Sequence, residues 1–384
     1  MFAYMQFLLY FCSRFEMKRH ILYIGILCSL GTASCSTMRT NRQETALERP
    51  VVYRSVDQFG DSLWLSGRVS VPIGKQAKGI ILIPHYTIGA DKEAPSNHIT
   101  AEARYFRDDY VLLMPDYLGY GVSNDRFPPY LAGELTAHNC VDMIWGTQGV
   151  LDSLEVNIPR DSIYIVGYSQ GAASAIWTLR LLEESYADRI HVKHCFLGSG
   201  PYDVASSYDD VVIRGKTMSP MLVPLLLIGT NVAYDLQVPI EELLTLAMNK
   251  VVDEYIVSKK YGVVRLFFKM PNHSAKHWIS AKGLDKSQPD TRRVYEGFLR
   301  SSIVHYPIDD KPEGQDSICP AWQWRTPTLV FHSTKDDAVP VVNALHLQRC
   351  FGHLPNVTFD IDNHGNHVNA MHPFMLRVLE ILGE

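Results

Sequence analysis

The chain has 384 residues, 46% of them hydrophobic and 20% charged. That is too apolar for a disordered segment, too poor in charge for a coiled coil, and long enough for two or three units or one large domain with an insertion. With 36 Lys and Arg against 41 Asp and Glu, the net charge is −5, so the composition carries no electrostatic footprint for nucleic acid or for an anionic membrane surface.

The first element in chain order is a leader. Residues 17 to 35, MKRHILYIGILCSLGTASC, place Lys18 and Arg19 before an apolar run from Ile21 to Leu30, then small residues up to Cys35. A basic start, a short apolar stretch and a small-residue exit form a secretion signal, and the run is shorter than the roughly 20 residues a bilayer span needs. Ending in Cys35, it resembles a bacterial lipoprotein signal, which implies removal of residues 1–34 and lipid on Cys35; cleavage near Ala33 with release of a soluble protein is the alternative. Met17 offers a second start. The reading is an exported protein, either an outer-membrane lipoprotein or periplasmic or secreted. Any membrane attachment is through that lipid alone.

Of seven cysteines, Cys140, Cys195, Cys319 and Cys350 lie beyond the leader and outside the lipidation position. An exporting compartment permits disulfides, and four cysteines allow three pairings, among which the sequence does not choose. The setting of Cys195 in HVKHCFLG is that of a buried strand thiol.

Period-two alternation at residues 62 to 71 predicts an antiparallel strand. Short apolar runs at 79–84, 110–116, 162–167, 193–200, 327–333 and 357–362 predict central parallel strands, which are buried on both faces. Helical patterns at 134–154, 170–185, 341–349 and 368–382 complete a βαβ rhythm. The predicted fold class is therefore α/β, a mostly parallel sheet flanked by helices. Residues 204 to 310 break the alternation and read as a helix-rich insertion, leaving 35–203 and 311–384 as the core. Open α/β sheets bind ligands at the carboxyl edge of their strands, where that insertion would sit.

Gly167-Tyr168-Ser169-Gln170-Gly171 is a GxSxG pattern, which alone arises by chance in about one chain in ten of this length. Here it directly follows the run SIYIV and opens the helical run AASAIWTLRLLEE, the context of a nucleophile elbow. A serine hydroxyl attacks only when a base takes its proton, so a carboxylate and a histidine are expected later in the chain. HSTKDDAVP supplies Asp336 and Asp337, of which one can serve while the other caps the helix near Val341 or faces solvent. NHGNHVNAMHPF supplies His364, His367 and His372. Those three histidines are also a candidate zinc set, but no carboxylate or cysteine completes a familiar spacing. Two main-chain N–H groups must also meet the oxyanion. One is expected from Gln170 and the other from the loop HYTIGADKEAPS, at Thr87.

The loop HYTIGADKEAPS, the segment MPDYLGYGVS, the elbow GYSQG and the stretches HSTKDDAVP and GNHVNAMHPF together resemble the α/β-hydrolase superfamily, and within it the secretory lipase family related to lipase A. The likeness covers most of residues 60–202 and 320–384. It implies Ser169 as nucleophile, Asp336 as acid, His367 as base, oxyanion donors at Thr87 and Gln170, a helical cap over an acyl pocket, and no metal or organic cofactor. Asp336 holds the place of the aspartate in the superfamily's HGxxD pattern, and His367 opens the His-Val-x-Ala stretch of the last helix. Tyr86 stands where related enzymes commonly have glycine.

The expected activity is carboxylic ester hydrolysis on a small-molecule or lipid ester, with oligomeric state open. An exopeptidase or amidase using the same residues, a glycan-deacetylating esterase and a non-catalytic binding protein remain as alternatives.

Overall fold

The computed structural model describes residues 45–159, 162–215, 220–270, 275–307 and 317–383. The leader and Cys35 lie outside them. An eight-stranded sheet runs in the order β1-β2-β4-β3-β5-β6-β7-β8. Its strands are β1 (Ala46–Val56), β2 (Ser62–Pro72), β3 (Ile80–Leu82), β4 (Val111–Pro115), β5 (Ser162–Tyr168), β6 (His191–Gly198), β7 (Thr328–Ser333) and β8 (Val357–Asp362). β2 pairs antiparallel with both β1 and β4, and every pairing from β4 through β8 is parallel.

The strands β3 to β7 coincide with short apolar runs because both of their faces are covered, whereas β8, expected as a central strand, is the edge of the sheet and only partly buried. One face carries α1 (Gly133–Gly146), α2 (Gln170–Ser185) and α6 (Val342–Phe351), whose Ile144, Ile176, Leu179 and Leu347 pack with Leu82, Leu113 and Ile165. The other carries α7 (His367–Gly383), whose Phe374, Met375 and Val378 meet Ile81, Val166 and Phe331. The helical pattern at 134–154 is two helices, Gly133–Gly146 and Gln148–Ser153. At the break, the Thr147 hydroxyl donates to Met143 O at 2.8 Å, a side-chain bond that competes with the regular ladder.

Between β6 and β7 the described residues include the helices α3 (Val204–Arg214), α4 (Leu222–Ala233) and α5 (Pro289–Ser301). These elements share a core of their own, with Tyr208, Leu225, Leu243, Met248, Leu266, Trp278 and Phe298 buried together. The apolar stretch 240–257 is split into Ile240–Leu243, Leu246–Val252 and a π-turn, Asp253–Val257. Thr245 caps the second piece by accepting the Met248 N–H at the break.

Cys319 and Cys350 are disulfide-bonded, tying the segment before β7 to α6. Cys140 and Cys195 are free and buried. Among the described residues no helix is long and apolar enough to cross a membrane.

Candidate active site

β5 ends directly beneath α2, and the turn between them holds Ser169 at φ 57°, ψ −124°. A non-glycine residue with positive φ is strained and persists only where its surroundings over-determine it. Here the Ser169 N–H donates to Gly198 O of β6 at 2.8 Å. The turn also has no room for side chains on either flank. A Cβ on Gly167 would come 2.2 Å from Gly171 O, and one on Gly171 would come 2.2 Å from Pro84 O. That second approach seats the loop after β3 against the elbow.

Three residues singled out in the sequence meet at this turn. His367 Nε2 lies 3.0 Å from Ser169 Oγ, and His367 Nδ1 lies 2.7 Å from Asp336 Oδ2. His367 is the first residue of α7, and Asp336 follows β7. Asp336 Oδ1 accepts the N–H groups of Ala338 and Val339 at 3.0 and 2.7 Å, so the carboxylate is held from both ends. Burial pushes the Asp336 pKa up, but the charge and hydrogen bond of His367, the nearby His332 and the Val339 N–H outweigh it and hold the group below the ordinary aspartate value. An ionised acid facing Nδ1 fixes the tautomer in which Nε2 is free to take a proton.

The neighbouring Asp337 neither caps the helix near Val341 nor points freely into solvent. Its Oδ1 accepts the His367 N–H at 3.2 Å, at the start of α7 instead. Burial raises its pKa, with Asp336 adding to the rise. Of the other histidines, His364 bonds Asp360 Oδ1 at 2.9 Å and stacks on Phe331, while His372 Nδ1 meets Tyr105 OH at 2.8 Å. Each therefore has its own partner away from the serine. Among the described residues no group of three His, Cys, Asp or Glu side chains is placed to hold a metal ion.

Thr87 and Gln170 are both buried, and among the described residues neither main-chain N–H donates to another group of the protein. Thr87 Oγ1 is 2.7 Å from Tyr130 OH. Two further contacts surround the triad. The Tyr168 hydroxyl donates to His367 O at 2.5 Å, and His332, fully buried, lies 3.8 Å from Asp336 Oδ2 while its Nε2 meets Val339 O at 3.1 Å. The first joins residues 199 apart and depends on long-range packing that residue spacing does not encode, whereas the second is local, within the stretch from His332 to Val339. The signal available was only their position, directly before the serine and at the end of β7.

Solved structures of similar shape exist. LipA, a rice cell wall degrading esterase of Xanthomonas oryzae, matches with a TM-score of 0.71 at 20% identity over 88% of this chain and 89% of its own. A Legionella pneumophila protein named only as a hydrolase gives 0.71 at 21% identity over 88% of both chains. Together with the sheet order and the strand-to-helix elbow, these decide the architecture. It is the α/β-hydrolase fold. Within this fold the closed state of Candida antarctica lipase A also matches, with a TM-score of 0.61 at 15% identity over 88% of this chain and 78% of that one. No protein-family model matches the sequence, and no curated protein matches it. In α/β-hydrolase terms, the elbow stands at the carboxyl edge of β5 and the insertion follows β6.

Proposed function

We propose that this chain is a serine hydrolase that cleaves carboxylic esters through an acyl-enzyme. The observation that carries the reading is the unbroken line Ser169 Oγ, His367, Asp336, with heavy-atom distances of 3.0 and 2.7 Å, set at a strained elbow.

Ser169 Oγ attacks the ester carbonyl as His367 Nε2 takes its proton, and Asp336 stabilises the imidazolium that forms. The tetrahedral oxyanion is received by the N–H groups of Thr87 and Gln170, which hold no partner within the described protein and so need no reorganisation. His367 then returns the proton to the departing alcohol. Water, activated by the same imidazole, hydrolyses the acyl-serine in a second round. Residues 35–203 and 311–384 form the catalytic body in this reading, and residues 204–310 form a cap over the acyl side. The esterase and lipase named among the structural neighbours support ester substrates over amides.

Ser169→Ala is expected to lower kcat on p-nitrophenyl esters by about 10⁶-fold, because the three groups act as a unit, and to abolish labelling by a fluorophosphonate. Activity near wild type in that variant refutes the reading. A series of acyl chains from two to sixteen carbons locates the preferred ester.

Export is part of the proposal: the leader directs the chain out of the cytoplasm and Cys35 receives the lipid. Cys35→Ser is expected to move the protein from the membrane fraction to the soluble fraction. Unchanged partitioning would count against lipidation without touching the chemistry.

A further inference from the structure

The loop after β3 presents two consecutive peptide units to its surroundings, and three of their four polar groups are held by side chains. In the unit joining residues 85 and 86, the carbonyl of His85 accepts the Tyr117 hydroxyl at 3.1 Å, and the Tyr86 N–H donates to Glu102 Oε1 at 3.3 Å. In the next unit the Tyr86 carbonyl lies 2.6 Å from His85 Nδ1. The fourth group, the Thr87 N–H, has no partner among the described residues.

His85 is fully buried, and its ring stacks on Tyr117 with centroids 4.1 Å apart. Its Nε2 lies 3.1 Å from Asp116 O, so the imidazole bridges two carbonyls and has little freedom to turn. Burial lowers its pKa against the pull of those two carbonyls and of Asp116 and Glu93. A neutral imidazole has one N–H, and the shorter contact, to Tyr86 O, is where it belongs. Protonation would add a second donor toward Asp116 without removing the first.

A trans peptide is planar, with its C=O and N–H directed oppositely. Holding the Tyr86 carbonyl therefore also fixes the direction of the Thr87 N–H. The same loop is seated on the elbow, where Pro84 O comes closest to Gly171.

We propose that His85 is a positioning residue for the oxyanion site: its Nδ1–H anchors the Tyr86 carbonyl and thereby aims the Thr87 N–H at the developing oxyanion. This rests on the serine-hydrolase reading above. The hydrogen bond also polarises the peptide unit, which strengthens its N–H as a donor. Glu102 and Tyr117, from neighbouring segments, hold the preceding unit, so the aim is set by buried groups from the loop and from its surroundings together.

The test contrasts two amides at position 85. His85→Asn places an amide N–H near the Nδ1 position, whereas His85→Gln places it near Nε2, on the Asp116 side. His85→Gln is expected to lower kcat by about 10²-fold, the scale of losing one oxyanion donor, with KM changed less than about threefold and fluorophosphonate labelling slowed in parallel. His85→Asn is expected to recover most of kcat. Equal activity in the two variants, a loss confined to KM, or failure of both to fold overturns the proposal, since each assigns His85 a merely structural part. If Ser169→Ala retains hydrolysis, the underlying reading fails instead, whatever His85 does.

Discussion

Asp336 and Asp337 are adjacent in the chain and differ in what they touch. Asp336 Oδ2 meets His367 Nδ1, while Asp337 receives only the His367 main-chain N–H. Replacing the first by asparagine puts an amide where the imidazole needs an acceptor and favours the wrong tautomer, an effect of about 10⁴-fold in kcat in serine hydrolases with this geometry. Replacing the second leaves an amide oxygen that still accepts the same N–H. We therefore expect Asp336→Asn to lose at least about 10³-fold in kcat and Asp337→Asn less than about tenfold, measured on a p-nitrophenyl ester. The reverse ranking would assign the acid to Asp337. From the sequence both aspartates were on the page, and the choice between them rested on a pattern. The contacts that separate them come from the start of α7, which is 30 residues away.

Elements were legible to the extent that burial is simple. The parallel strands β3 to β7 are largely apolar and read as short hydrophobic runs, whereas β8, at the edge of the sheet, alternates Val357, Phe359 and Ile361 with polar residues and is only partly buried. β2 shows alternation because Leu63, Leu65, Val69 and Val71 pack into the core on one face while Ser62, Ser66, Arg68 and Ser70 lie on the other. β1 escaped the reading. Its sequence ALERPVVYRSV has charged residues at Glu48, Arg49 and Arg54 and a proline at position 50, and its burial alternates between buried and exposed as befits an edge strand. The helical insertion was legible as a class but not in its parts. The breaks in 240–257 and the cap at Thr245 depend on local side-chain bonds that compete with propensity. The pinning of the loop after β3 is the extreme case: Glu102 and Tyr117 reach it from separate segments, and a glutamate is by default expected in solvent, whereas Glu102 is fully buried with its pKa raised to about 7 by desolvation.

At the scale of the molecule, the insertion is fastened to the body by hydrogen bonds from several of its segments. Glu93, on the loop that carries Thr87, accepts the Val263 N–H at 2.9 Å, and Lys259 Nζ donates to the carbonyls of Gly119 and Arg126 at 2.7 and 2.8 Å. A further tie is Asp203, fully buried where the insertion begins. Its carboxylate accepts His305 Nδ1 at 2.9 Å from the far end of the insertion, His346 Nδ1 at 2.7 Å from α6, and the Ser206 N–H at 2.9 Å. Burial alone would raise its pKa, yet the hydrogen bonds of the two histidines hold it at about 2, against 3.8 for a free aspartate. A depressed folded-state pKa means that the unfolded chain takes up the proton first. The contribution is therefore complete above pH 3.8 and is lost as pH falls toward 2. At about 1.4 kcal/mol per unit this amounts to about 2 kcal/mol. Asp203→Asn is accordingly expected to unfold at lower urea than the wild type at pH 5, with the gap narrowing steadily toward pH 2.5. A gap that stays constant across that range would mean that the ionised carboxylate is not what joins the two ends of the insertion.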